Sequence, residues 1–299
     1  MDVREGSTTL PRTRLAWRCV GDERALPVVV FENGWSASFQ QWTLMEPLLA
    51  PYARLVFYDR AGIGASAPGR ADDAASIGQD LAGLLDALGF GEPVVVVGQS
   101  YGGLVARLHG AIIPDRVRAI VQLDPTPELD HPQIDGKLAM FRKVGVLSVL
   151  LARLGLSNPL FAPLWEHFPE REARLLEQRS YRSPGSLRAA IRELDLLQDI
   201  RAAIAAGRDA STQPRLIVSA GAASDAKGWL ARRLSSEKQL RQTVQTMQSL
   251  HRMQAVQGSG GILEIAEAHT HGGLVSTPAG AAYSAARILA FLREIPSTR

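Results

Sequence analysis

Cysteine is nearly absent from this chain of 299 residues; Cys19 stands alone. An internal disulfide is excluded, and a reducing, cytoplasmic setting is expected. Long apolar runs are missing too. No stretch reaches about 18 uncharged apolar residues, so no membrane partner is expected. Met1–Gly6 carry acid and no apolar segment, so no signal peptide is expected. There is no block of like charge: 33 basic and 30 acidic residues leave a net charge of +3 despite a pI near 9.2. The charges are interspersed, so no nucleic-acid partner is expected. Internal repeats and low-complexity tracts are absent. Gly62-Ile63-Gly64-Ala65-Ser66-Ala67 fits a loose dinucleotide fingerprint, but Pro68-Gly69 follows where that motif needs an unbroken helix. No cofactor is expected. His269-x-His271 lacks a third ligand motif nearby, so no metal is expected either.

What is present is an ordinary globular balance, 46% hydrophobic and 21% charged. Strands are expected at 15–20, 27–31, 53–59, 94–97, 117–123, 215–220 and 262–266, with a loose polar segment before them. Helical spacing of Ile77, Leu81, Leu84, Leu85 and Leu88 falls between strands, and a closing helix is expected over about 277–293. Alternating strands and helices imply a mostly parallel, doubly wound α/β sheet. Between Pro125 and Pro214 the pattern changes to helical stretches punctuated by Pro159, Pro163, Pro169 and Pro184. The expected organisation is a core over 1–125, an inserted helical cap over 126–212, and the rest of the core over 213–299.

The segment Val94-Val95-Val96-Val97-Gly98-Gln99-Ser100-Tyr101-Gly102-Gly103 carries the chemistry. Four β-branched residues predict a buried strand. The G-x-S-x-G that follows must turn sharply into a helix, and glycine at 98 and 102 removes the β-carbons that would clash there. Ser100 at the apex is left strained and exposed, beside free N–H groups of a helix N-terminus. It is the candidate nucleophile.

These residues resemble the α/β-hydrolase superfamily, and the likeness extends further. Pro27–Trp35 resembles that family's strand and oxyanion loop, and Val56–Ser66 its D-R-x-G-x-G-x-S turn. Val117–Pro125 resembles the strand after the elbow helix, and His271–Pro278 the terminal histidine loop. In the family the triad runs Ser, acid, His. The resemblance therefore implies His271 as base, favoured over His269 by its spacing to Pro278. The acid is Asp124, after strand 117–123, or Asp225, after strand 215–220. The long connection from Asp225 to His271, with Trp229 and a helical run over Gln239–Gln254, favours Asp124. The oxyanion donors implied are the backbone N–H groups of Trp35 and Tyr101. Gly34, Phe161 and Trp165 are expected to line the substrate site.

Together these imply a serine hydrolase of a carboxylic ester or lactone. The apolar cap suggests a bulky apolar substrate, a macrocyclic lactone being one such molecule. An amidase, a C–C bond hydrolase and a non-catalytic ligand-binding member of the fold are the alternatives. The oligomeric state is not legible.

Overall fold

The computed structural model describes residues 2–21, 26–68, 73–208, 211–223, 236–257 and 260–295. Eight strands form one sheet: β1 Val3–Thr9, β2 Arg14–Val20, β3 Val29–Glu32, β4 Leu55–Tyr58, β5 Val94–Gln99, β6 Val117–Leu123, β7 Arg215–Ala220 and β8 Ile262–Ala266. Their order is β1-β2-β4-β3-β5-β6-β7-β8. β1 and β2 form an antiparallel ribbon, β2 pairs antiparallel with β4, and every other pairing is parallel. The loose segment expected at the start is thus corrected: Val3–Thr9 is an edge strand in register with Arg14–Val20. Only one of its residues is even partly buried, so hydrogen bonds to β2 hold it without an apolar face.

Helices α1 Glu46–Leu49, α2 Ala74–Ala87 and α3 Tyr101–Ile112 connect the first strands. Between β6 and β7 lie α4 Pro132–Arg153, α5 Glu170–Leu176, α6 Pro184–Asp195 and α7 Leu197–Ala206, with no strand among the described residues. Helix α8 Glu237–Ala255 precedes β8, and α9 Gly273–Ser276 and α10 Pro278–Glu294 close the chain.

The period of two along each strand sorts side chains to opposite faces. Val29, Phe31, Leu55, Phe57, Val95 and Val97 face Trp42, Met45, Leu49 and the Ile288 side of α10. Val30, Val56, Tyr58, Val94 and Val96 face Leu81, Leu84, Leu85 and Ala106. Each such side chain, fully buried, contributes about 1.5–3 kcal/mol. With both faces covered, the parallel strands end in loops along one rim, where open α/β sheets hold their ligands.

The helical segment between β6 and β7 has its own aromatic centre. Phe161, in a 3₁₀ turn Pro159–Leu164, stacks on Tyr181 with ring centroids 4.6 Å apart, and Trp165 stacks on the same ring at 5.2 Å. Proline at 159 and 163 keeps this turn short of an α-helix.

Candidate active site

β5 delivers Ser100 directly to the N-terminus of α3. Its backbone sits at φ 56, ψ −122, a conformation that costs a non-glycine residue about 1–3 kcal/mol. The glycines permit this turn. A Cβ on Gly98 would fall 2.1 Å from the Gly102 carbonyl oxygen, and one on Gly102 would fall 2.2 Å from the Glu32 carbonyl oxygen. Surrounding bonds hold the strained residue. Ser100 N–H donates to the Leu123 carbonyl at 3.0 Å, and the Ser100 carbonyl accepts from Thr126 N–H at 2.9 Å. The Ser100 side chain makes no capping bond to α3, so its hydroxyl is left for other partners.

That partner is His271, on the loop after β8. Its Nε2 lies 3.0 Å from Ser100 Oγ, and its Nδ1 lies 2.6 Å from Asp124 Oδ2. A carboxylate can only accept, so Nδ1 carries the proton and Nε2 is left free to take one from Ser100. Asp124 follows β6 with a φ of 44 and is buried. Its second oxygen accepts Ala220 N–H at 2.9 Å. Burial pushes the Asp124 carboxyl up, but the hydrogen bond and charge of His271, with His251 and the Ala220 N–H, outweigh it and hold it below the usual range. Asp225 lies outside the described residues. His269 packs its ring on Tyr283, with centroids 5.0 Å apart.

Behind Asp124 stands His251, on a helical run with no motif around it. It is fully buried on α8. Its Nε2 is 2.9 Å from the Pro125 carbonyl oxygen and its Nδ1 2.8 Å from Ser219 Oγ. The carbonyl requires a proton on Nε2, so Nδ1 accepts from the serine hydroxyl. Burial depresses its pKa, with the Asp124 charge opposing. No motif marks this residue, because its partners come from two distant parts of the chain, Pro125 and Ser219.

The loop after β3 holds Gly34 and Trp35. Gly34 N–H donates to Gln41 Oε1 at 2.9 Å, and Gln41 Nε2 donates to Gln99 Oε1 at 3.2 Å. The Gly34 N–H is therefore occupied, while Tyr101, first residue of α3, has no acceptor for its N–H in the helix ladder. Trp35 is half-buried, its ring tilted against Phe161 and Phe141 at 6.2 and 5.9 Å. Phe161 and Trp165 are thus joined to the loop after β3 by way of Trp35 and to each other by way of Tyr181.

Under this loop lies a buried ionic cluster that the sequence did not reveal. Glu32 accepts from the Tyr58 hydroxyl, lies 2.7 Å from His109 Nε2 and takes Arg60 Nη1 at 3.2 Å. Burial raises its carboxyl, but His109 and Arg60 outweigh this and hold it low. A glutamate ending an apolar strand and an arginine in a turn carry no signal that they meet. Among the described residues no group of three or more His, Cys, Asp or Glu could hold a metal ion. Among the described residues no helix is long and apolar enough to cross a membrane.

An elbow serine, a histidine from the last loop and a doubly wound sheet define a class of protein. Residues 27–145 match the family model of the alpha/beta hydrolase fold. The chain has the α/β-hydrolase fold. It is 54% identical over 54 residues to lipase LipV of Mycobacterium tuberculosis, covering 18% of this chain and 20% of that one. It is 34% identical over 116 residues to a pimeloyl-[acyl-carrier protein] methyl ester esterase of Vibrio campbellii, covering 39% and 42%. The matched segments thus span less than half the length of either relative. In structure it resembles the enol-lactonase of Burkholderia xenovorans, with a TM-score of 0.65, 19% identity, and 97% and 100% of the two chains covered. At that identity the likeness speaks for the fold.

Proposed function

We propose that this protein hydrolyses a carboxylic ester or lactone through an acyl-enzyme on Ser100. One observation carries the reading: Ser100 Oγ, His271 and Asp124 form a continuous hydrogen-bonded line, 3.0 Å and then 2.6 Å. Ser100 Oγ attacks the carbonyl carbon as His271 Nε2 takes its proton. Asp124 holds the imidazole in the required tautomer and stabilises the imidazolium. The tetrahedral oxyanion accepts from Trp35 and Tyr101 N–H. Collapse expels the alkoxide, which leaves with the proton from His271. Water, deprotonated by His271, then attacks the acyl carbon, and the carboxylic acid departs as Ser100 regains its proton. No cofactor is required.

The aromatic content around Trp35, Phe161 and Trp165 favours a bulky apolar substrate, a macrocyclic lactone among them. Phe161→Ala should raise KM for bulky aryl esters more than for acetyl esters, through lost apolar contact. An equal rise for both would assign Phe161 to cap packing alone.

The deciding experiment is labelling by a fluorophosphonate probe. The wild type should be labelled and Ser100→Ala should not, with its fold retained. The same pair is then screened over aryl esters of graded acyl length, bulky lactones and amides. Turnover of amides alone would favour the amidase reading, and a protein neither labelled nor active would be a binding member of the fold.

A further inference from the structure

The two expected oxyanion donors share a partner in the cap. Trp35 Nε1–H donates to the Ala190 carbonyl at 2.7 Å, and the Tyr101 hydroxyl donates to the Glu193 carbonyl at 3.0 Å. Both acceptors lie on α6, three residues apart and so on neighbouring positions of the helix surface. The Glu193 side chain reaches the same loop by way of Arg60. Arg60 Nε donates to Glu193 Oε1 at 2.5 Å and Nη2 to Oε2 at 3.1 Å. The guanidinium then turns to the backbone. Nη1 donates to the Asn33 carbonyl at 2.6 Å, and Nη2 lies 3.3 Å from the Gly34 carbonyl.

The Gly34 carbonyl belongs to the same peptide unit as the Trp35 N–H. In a planar trans peptide the two point in opposite directions, and the described chain has no cis peptide. A Gly34 carbonyl held toward Arg60 therefore turns the Trp35 N–H away from it. Ala37 N–H, 3.2 Å from the same carbonyl, fixes the unit from a second side. All the charged groups involved are nearly or fully buried, Arg60 at 7% side-chain exposure, Glu193 at 9% and Glu32 at 0%. Buried ion pairs are poor sources of stability, since apolar residues of similar volume often do as well. The arginine fork supplies something apolar residues do not: fixed directions for two backbone carbonyls.

We propose that the cap helix α6, through the Glu193–Arg60 pair, sets the orientation of the Gly34–Trp35 peptide and so completes the oxyanion hole. Arg60 and Glu193 are positioning residues. The cap is then part of the catalytic apparatus, and any displacement of α6 releases the peptide that would stabilise the transition state. This rests on the serine-hydrolase reading above.

The test compares wild type, Arg60→Lys and Glu193→Gln for kcat and KM on a p-nitrophenyl ester. Each is also titrated with an aryl trifluoromethyl ketone, whose serine adduct carries its oxyanion in the hole, and melted. Glu193→Gln should lose about tenfold and Arg60→Lys about a hundredfold in kcat, on the scale of losing part or all of one oxyanion donor. KM should change less than about threefold, and ketone affinity should fall by the same factor as kcat. Should Arg60→Lys fail to fold, Trp35→Phe, which removes the indole bond to Ala190, takes its place beside Glu193→Gln. Folded variants with lowered melting temperatures but unchanged kcat and ketone affinity would overturn the proposal, and so would a fall in kcat with ketone affinity unchanged. Fluorophosphonate labelling of the wild type at Ser100 separates the two readings. No labelling sinks the hydrolase assignment and this inference with it, whereas a labelled wild type with unaffected variants sinks the positioning role alone.

Discussion

Replacing Asp124 by asparagine tests the proposed triad most sharply. The wild-type carboxylate accepts at both ends, from Ala220 N–H at 2.9 Å and from His271 Nδ1 at 2.6 Å. An amide has only one accepting end. If its oxygen keeps the Ala220 bond, its NH₂ faces His271 and forces the proton onto Nε2, where it points at Ser100 and cannot serve a base. The full cost of that tautomer is about 10⁴ in kcat, or about 5.4 kcal/mol. If the amide turns over, the tautomer is rescued but the buried Ala220 N–H faces another donor. That costs about 1–3 kcal/mol, so the productive form is reduced roughly 5- to 150-fold. The expected loss in kcat therefore lies between about fivefold and about 10⁴-fold, with the imidazolium's lost counter-charge pushing it upward. The assay is kcat on a chromogenic ester, normalised to the fraction of enzyme that melts cooperatively, beside Asp225→Asn. Asp225→Asn should stay within about twofold if Asp124 is the acid. An Asp124→Asn enzyme within fivefold of wild type, or a large loss confined to Asp225→Asn, would refute the assignment.

Three further outcomes are expected. His271→Ala should cost several orders of magnitude in kcat and His269→Ala little, because His269 packs on Tyr283; the reverse ranking in steady-state kinetics would mean that the wrong histidine was chosen. Gly64→Ala should destabilise by about 3 kcal/mol in denaturant unfolding, since the residue sits at φ +62 and an added Cβ would fall 2.1 Å from Asp59 Oδ2; a change under about 0.5 kcal/mol would contradict the turn geometry. His251 should make stability pH-dependent. Its folded pKa lies below 6.5, so on acidification the unfolded chain takes up the proton first. Its contribution is complete above the unfolded pKa and is lost as pH falls through and below it. Asp124 and His271 also face this ring, so the wild type is compared with His251→Asn by melting over pH 7 to 5. The variant should lose less stability across that window, and equal slopes would remove His251 from the account.

The sheet was largely legible because its central strands are rich in apolar, β-branched residues, continuously so at Val94–Val97. The elbow was legible for the opposite reason: Gly98 and Gly102 sit where a β-carbon has no room. Val3–Thr9 has no signature in the sequence because an exposed edge strand carries no apolar period. What escaped entirely was the polar interior. Glu32, Arg60, His109 and Glu193 meet across strand β3, a turn, α3 and α6, and no local pattern encodes a contact between residues 60 and 193. His251 escaped in the same way. Its role depends on where α8 crosses the ends of β6 and β7.

The two backbone bonds that tie Ser100 to Leu123 and Thr126 join the elbow to the β6 loop as one unit. The proposed nucleophile, acid and both donors of the proposed hole therefore lie within the first 126 residues, while the proposed base alone arrives from the far end of the chain. A break in the connection after α7 would divide the molecule into a fragment with everything except the base and a fragment with the base only. Neither half could turn over an ester by itself. Recovered hydrolysis on mixing would then report reassociation of the two halves, which makes this fold a natural starting point for a split-enzyme reporter.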